Sequence, residues 1–166
     1  VTSPRILFLA FGDGSAGSNS IVSSLVGRLR KHPLAESWWL TLIEDAQLRI
    51  EHALDLKLNE LAVFIDTSSI DRRAFEFSEM TSSGSYKILP MDETLEPSDV
   101  LHTVATLGRK GELPASFRLT LPGGTAQAGP SMTNDEAQQS ITAAVALLED
   151  LLENADEAYW REKART

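Results

Sequence analysis

The residues able to do chemistry in this chain are mostly oxygen donors. It has 24 acidic residues, three histidines and no cysteine, which removes disulfides, thiolate metal sites and cysteine nucleophiles together. Two strand-like runs end on acids: Leu61-Ala62-Val63-Phe64-Ile65 stops on Asp66, and Trp38-Trp39-Leu40-Thr41-Leu42-Ile43 stops on Glu44-Asp45. A carboxylate at the end of a buried strand needs a helix cap, an ion pair or a functional role, because an unpaired charge there is costly. For Asp66 a functional role is the stronger reading and a helix cap the alternative. A third place is Gly12-Asp13-Gly14, which with Gly17 matches the G-x-G-x-x-G turn that brings backbone close to a pyrophosphate at a helix N-terminus. That fingerprint also wants a ribose-binding acid about 20 residues on. Glu44 and Asp45 come later than that, and Asp13 sets a negative charge inside the cradle, so a dinucleotide-binding enzyme ranks third among the functional readings. No serine has the Gly-x-Ser-x-Gly setting of a nucleophile elbow. His32, His52 and His102 fall on helix-like segments or their ends and read as structural or exposed.

The elements that must position these residues alternate. Ile6 to Phe11 is apolar throughout, as in a strand covered on both faces. Ile21, Val22, Leu25, Val26 and Leu29 make a helical stripe that Pro33 closes. The second strand spans 38–43, with its tryptophans in core and edge packing. Leu48, Ile50, Ala53 and Leu54 suggest a short helix before the third strand at 61–65. The runs 74–80 and 86–89 flank Thr81-Ser82-Ser83-Gly84-Ser85 as a hairpin. Pro97 opens a helix with Val100, Leu101, Val104, Ala105 and Leu107 inward, and Phe117 to Leu121 is the last strand. Thr133-Asn134-Asp135-Glu136 is a capping box for a long terminal helix, and the polar tail beyond about 155 is expected to fray. This order predicts an α/β fold: a three-layer α/β/α sandwich with a mainly parallel, about five-stranded sheet and one antiparallel hairpin element.

Composition narrows the function classes. With 166 residues, 42% of them hydrophobic, the chain suits a single domain over 1–166 with one proper core. A net charge of -9 offers no electrostatic footprint for nucleic acid or an anionic membrane surface. No apolar run approaches the roughly 20 residues of a membrane span, and no leader-like segment opens the chain. The expectation is a soluble, cytoplasmic protein.

Several motifs, taken in order, resemble the nickel-iron hydrogenase maturation endopeptidase family. They are Ile6-Leu7-Phe8-Leu9-Ala10-Phe11-Gly12-Asp13, then Val63-Phe64-Ile65-Asp66, Asp99-Val100-Leu101, Gly111-Glu112-Leu113-Pro114 before a strand, and Gly129-Pro130-Ser131-Met132-Thr133 opening the last helix. The resemblance spans almost the whole chain. It implies an α/β/α sandwich and an endopeptidase that removes the C-terminal tail of a hydrogenase large-subunit precursor once nickel is inserted. The family's metal-binding glutamate, aspartate and histidine positions fall here on Asn19, Asp66 and Glu93. Asp66 is then the expected catalytic residue, and Gly12, Asp13 and Gly14 form the rim of a substrate groove. The metal would be nickel supplied by the substrate, or none, since an Asn, Asp, Glu set is a harder oxygen site than nickel favours. A non-catalytic binding protein of hydrogenase assembly is the alternative. Neither nucleic acid nor a membrane is an expected partner.

Overall fold

A computed structural model of the chain describes residues 3–12, 21–68, 75–81, 95–107, 113–123 and 134–166. Its five strands are β1 (Ile6–Phe11), β2 (Leu40–Asp45), β3 (Leu61–Ser68), β4 (Glu76–Met80) and β5 (Ala115–Pro122). They form one sheet in the order β2-β1-β3-β5-β4. All neighbours run parallel except β4, which pairs antiparallel with β5. The helices are α1 (Ile21–Leu29), α2 (His52–Lys57), α3 (Pro97–Leu107), α4 (Asn134–Glu153) and α5 (Glu157–Arg165).

Strand side chains alternate between faces, so a central parallel strand must be apolar at every position to be covered on both. β1 is buried along its whole length. Ile6, Phe8, Val63, Ile65 and Leu119 pack with Val22, Leu25, Leu148 and Trp160 in one core, which α1, α4 and α5 cover. Leu7, Leu9, Ala62 and Phe64 pack with Leu56, Val100 and Leu101 in a second core under α2 and α3. The three-layer sandwich follows from those two faces.

Three details differ from the sequence reading. β2 begins at Leu40, because the chain turns after the short helical turn Pro33–Glu36, with the Leu40 amide donating to the Ser37 carbonyl at 3.1 Å. Trp38 is left 77% exposed at that turn, while Trp39 packs against the first core. The helix before β3 is confined to His52–Lys57, so its inward face is His52, Ala53 and Leu56, and Ile50 and Leu54 are exposed. β4 pairs antiparallel with β5; the expected hairpin arm at 86–89 lies outside the described residues. Beyond Asn154, where polar composition predicts fraying, α5 forms and buries Trp160 completely. The Trp160 indole N–H is shared between the carbonyls of Leu151 and Asn154, each at 3.0 Å, and so satisfies acceptors that the end of α4 leaves without helical donors.

Candidate functional site

Asp66 lies near the carboxyl end of β3, on the face covered by α3, and is 6% exposed. Parallel pairing sets Phe64 beside Arg118 and Asp66 beside Thr120. Because alternate residues share a face, the Arg118 and Thr120 side chains stand on the same side as the Asp66 carboxylate. Arg118 Nε donates to Oδ1 at 3.3 Å and Nη2 donates to Oδ2. Thr120 Oγ1 adds a third bond to Oδ1 at 3.2 Å. This forked pairing is the geometry in which a guanidinium holds a carboxylate most firmly.

A second acid completes the cluster. Arg118 Nη1 donates to Glu96 Oε2 at 3.4 Å, and Glu96 stands directly before α3. The Asp99 carboxylate accepts the Glu96 backbone N–H at 2.8 Å, the half of a capping box that fixes how a chain enters a helix. Asp99 therefore sets the position from which Glu96 reaches Arg118. Burial works against the Arg118 charge, but hydrogen bonding and attraction from Asp66, then from Glu96, outweigh it, and the guanidinium is pushed above its ordinary range. Two carboxylates and one fixed cation thus meet at the carboxyl edge of the sheet, where open α/β sheets receive ligands.

Of the residues expected from sequence, Asp66 and Gly12 are described. Gly12 follows β1 at the same edge of the sheet, its amide donating to the Asp45 carbonyl at 3.3 Å. Asp13, Gly14, Asn19 and Glu93 lie outside the described residues. Among the described residues no group of three histidines or acids is placed to hold a metal ion. Both oxygens of Asp66 accept hydrogen bonds from Arg118, and Oδ1 also accepts from Thr120, so three of the roughly four lone-pair sites of the carboxylate are taken. The sequence reading missed Arg118, Thr120 and Glu96.

The acids that would serve a dinucleotide are held elsewhere. Ser23 Oγ donates to Glu44 Oε1 at 2.6 Å, tying β2 to α1. Asp45 Oδ1 accepts the Ala46 amide at 2.7 Å, and its Oδ2 lies 3.3 Å from His52 Nε2 and 3.6 Å from Arg49 Nε. His52 Nδ1 accepts the Arg49 amide at 2.8 Å, and His32 Nδ1 accepts that of Leu34 at 3.2 Å. These two histidines are structural, in keeping with their sequence setting.

Solved structures share this fold over nearly the full length of both chains. HybD, the hydrogenase maturating endopeptidase of E. coli, is similar at 16% identity with a TM-score of 0.63, covering 91% of this chain and 93% of its own. A hydrogenase 2 maturation peptidase from a Thaumarchaeota archaeon is 18% identical, with a TM-score of 0.58 and 89% and 97% coverage. The NiFe hydrogenase maturation protease HybD of Thermococcus kodakarensis is 19% identical, with a TM-score of 0.55 and 89% and 99% coverage. The chain has the fold of the hydrogenase maturation proteases. No protein-family model and no curated protein matches the sequence. In this maturation-protease fold, β3 carries Asp66 to the sheet edge and β5 supplies the counter-charge beside it.

Proposed function

We propose that this chain acts in hydrogenase maturation, as an endopeptidase that binds a large-subunit precursor and removes its C-terminal tail. The observation that carries this reading is the two-way coverage: the fold is shared over about nine-tenths of this chain and of proteins described as hydrogenase maturation peptidases. The Asp66, Arg118 and Glu96 cluster supports it, because it places charge at the edge where a peptide tail would lie. Nickel enters this scheme as cargo of the substrate, and the tail runs past Gly12 at the end of β1, where the sequence places the rim of the groove. A cytoplasmic site of action goes with that substrate. No described helix is long and apolar enough to cross a membrane.

The test is to incubate the full chain with a large-subunit precursor, with and without nickel loaded, and to measure intact mass and co-elution. Loss of a C-terminal fragment from the nickel-loaded precursor is the expected result. Co-elution without any mass change would replace proteolysis by a binding role in assembly. The absence of both cleavage and co-elution would overturn the proposal.

A further inference from the structure

The outer surface of α2 carries an apolar stripe that the candidate site does not use. Among the described residues five large hydrophobic side chains are exposed, and three of them, Ile50, Leu54 and Leu58, at 45%, 68% and 62%, gather on this one short element. Glu51 and Leu58, which flank the helix, keep helical backbone. The Ala53 amide donates to the Ile50 carbonyl at 3.0 Å and the Leu58 amide to the Asp55 carbonyl at 3.3 Å, so the helical path reaches past both ends. Ile50, Leu54 and Leu58 therefore follow one another at helical spacing, on the side opposite the inward His52, Ala53 and Leu56. Apolar side chains exposed as a group, unlike single ones, mark a contact surface. The charges beside the stripe indicate what covers it. Exposed Glu51 lies three residues before Leu54 and exposed Lys57 three residues after it, while Ile50 and Leu58 lie four before and four after. Turned end over end about Leu54, the apolar positions fall on apolar positions and the acid falls on the base.

We propose that this face of α2 binds a second copy of the chain, in an antiparallel contact whose two-fold axis passes through Leu54. Across such an axis residue i meets residue j and j meets i. Leu54 meets its own counterpart, Ile50 meets Leu58 of the second copy, and Glu51 comes beside Lys57 of the second copy. A contact with an unrelated protein needs no such symmetry. Parallel helices would instead bring Glu51 level with Glu51 and Lys57 level with Lys57, so charge fixes the direction. The contact is small and belongs to the weak, transient class of interface. Exposed ion pairs add little affinity; they set the register, and the apolar stripe supplies the attraction. Two chains of net charge -9 repel one another, but at about 0.15 M salt that repulsion is largely screened beyond about 8 Å. The inference stands apart from the maturation reading, because α2 covers the second core and none of these residues belongs to the Asp66 cluster.

The experiment is sedimentation equilibrium of the full chain and its variants from about 1 μM to about 1 mM, the range of weak contacts, with circular dichroism to establish that each variant is folded. The unmodified chain should show a concentration-dependent equilibrium of monomer and dimer. Leu54→Glu, which sets two carboxylates together on the axis, should weaken the dimer at least about tenfold. Leu54→Ser, a milder change with a smaller but measurable loss, carries the test should the glutamate variant fail to fold. Glu51→Lys and Lys57→Glu should each weaken the dimer about fivefold, because each turns two attractive contacts into repulsive ones, and the two together should restore it. A monomer at every concentration, a dimer unaffected by the change at Leu54, or charge reversals that the double variant does not rescue would overturn the proposal. A chain that stays monomeric while Leu54→Glu abolishes co-elution with a large-subunit precursor would give the stripe to that partner and overturn the second copy.

Discussion

At the scale of single residues, Asp66 depends on Arg118 for more than orientation. Among the described residues, Arg118→Ala leaves the buried carboxylate with Thr120 as its side-chain donor, and losing one partner of a buried pair costs about 3–5 kcal/mol. Urea denaturation should show a drop of that order. Thr120→Val removes one hydrogen bond and should cost about 1 kcal/mol in the same assay. Replacing both charges, as Asp66→Leu with Arg118→Met, should recover much of the loss, since well-packed apolar pairs often match buried ion pairs in stability. Asp66 was legible in the sequence because an apolar run stops on it. Arg118 was not, because in Phe117-Arg118-Leu119-Thr120-Leu121 simple alternation accounts for every polar residue. Only the register between β3 and β5 reveals that two of those polar residues face a buried acid. Glu96 stood in an acidic stretch with Asp92 and Glu93, and spacing alone could not say which of these carboxylates meets Asp66's neighbour.

At the scale of elements, α5 shows how one side chain anchors a segment. Trp160 is wholly buried and meets Phe117 edge-on, with ring centroids 5.6 Å apart. Asp156 caps the helix by accepting the Tyr159 amide at 3.0 Å. Trp160→Ala should cost about 3–5 kcal/mol by chemical denaturation, and Trp160→Phe, which keeps most of the volume but loses the shared N–H, about 1 kcal/mol plus a packing loss. The same helix sets an alkaline limit. The Tyr159 hydroxyl donates to Asp150 Oδ2 at 2.8 Å, and chiefly through that bond its ionisation is pushed above the usual 10.0. A group raised on folding contributes stability that is fully present below its unfolded value and lost as pH rises through the folded one. The thermal midpoint should therefore fall above about pH 10, less steeply in Tyr159→Phe. This helix was illegible in the sequence because the tail has few apolar residues to make a stripe. A single tryptophan filling a gap against Phe8 and Phe117 does the work of one.

At the scale of the whole molecule, the parallel sheet and its helical layers could be read from apolar runs separated by helical stripes, since both patterns are local. The position of β4 could not. Its alternation gave an antiparallel strand with one wet face, but the choice of β5 as partner joins segments far apart in sequence and has no local signature. The order β2-β1-β3-β5-β4 places the last strand made between two that precede it. During synthesis, then, β3 emerges with Asp66 well before the chain has made Arg118, and β4 emerges before its described neighbour exists. A chain stopped at residue 114 would have to bury an acid with no counter-charge beside an incomplete sheet, and it should lack cooperative unfolding when followed by circular dichroism. The acid and its cation lie 52 residues apart in the chain, so Asp66 has its forked partner only once β5 has paired with β3.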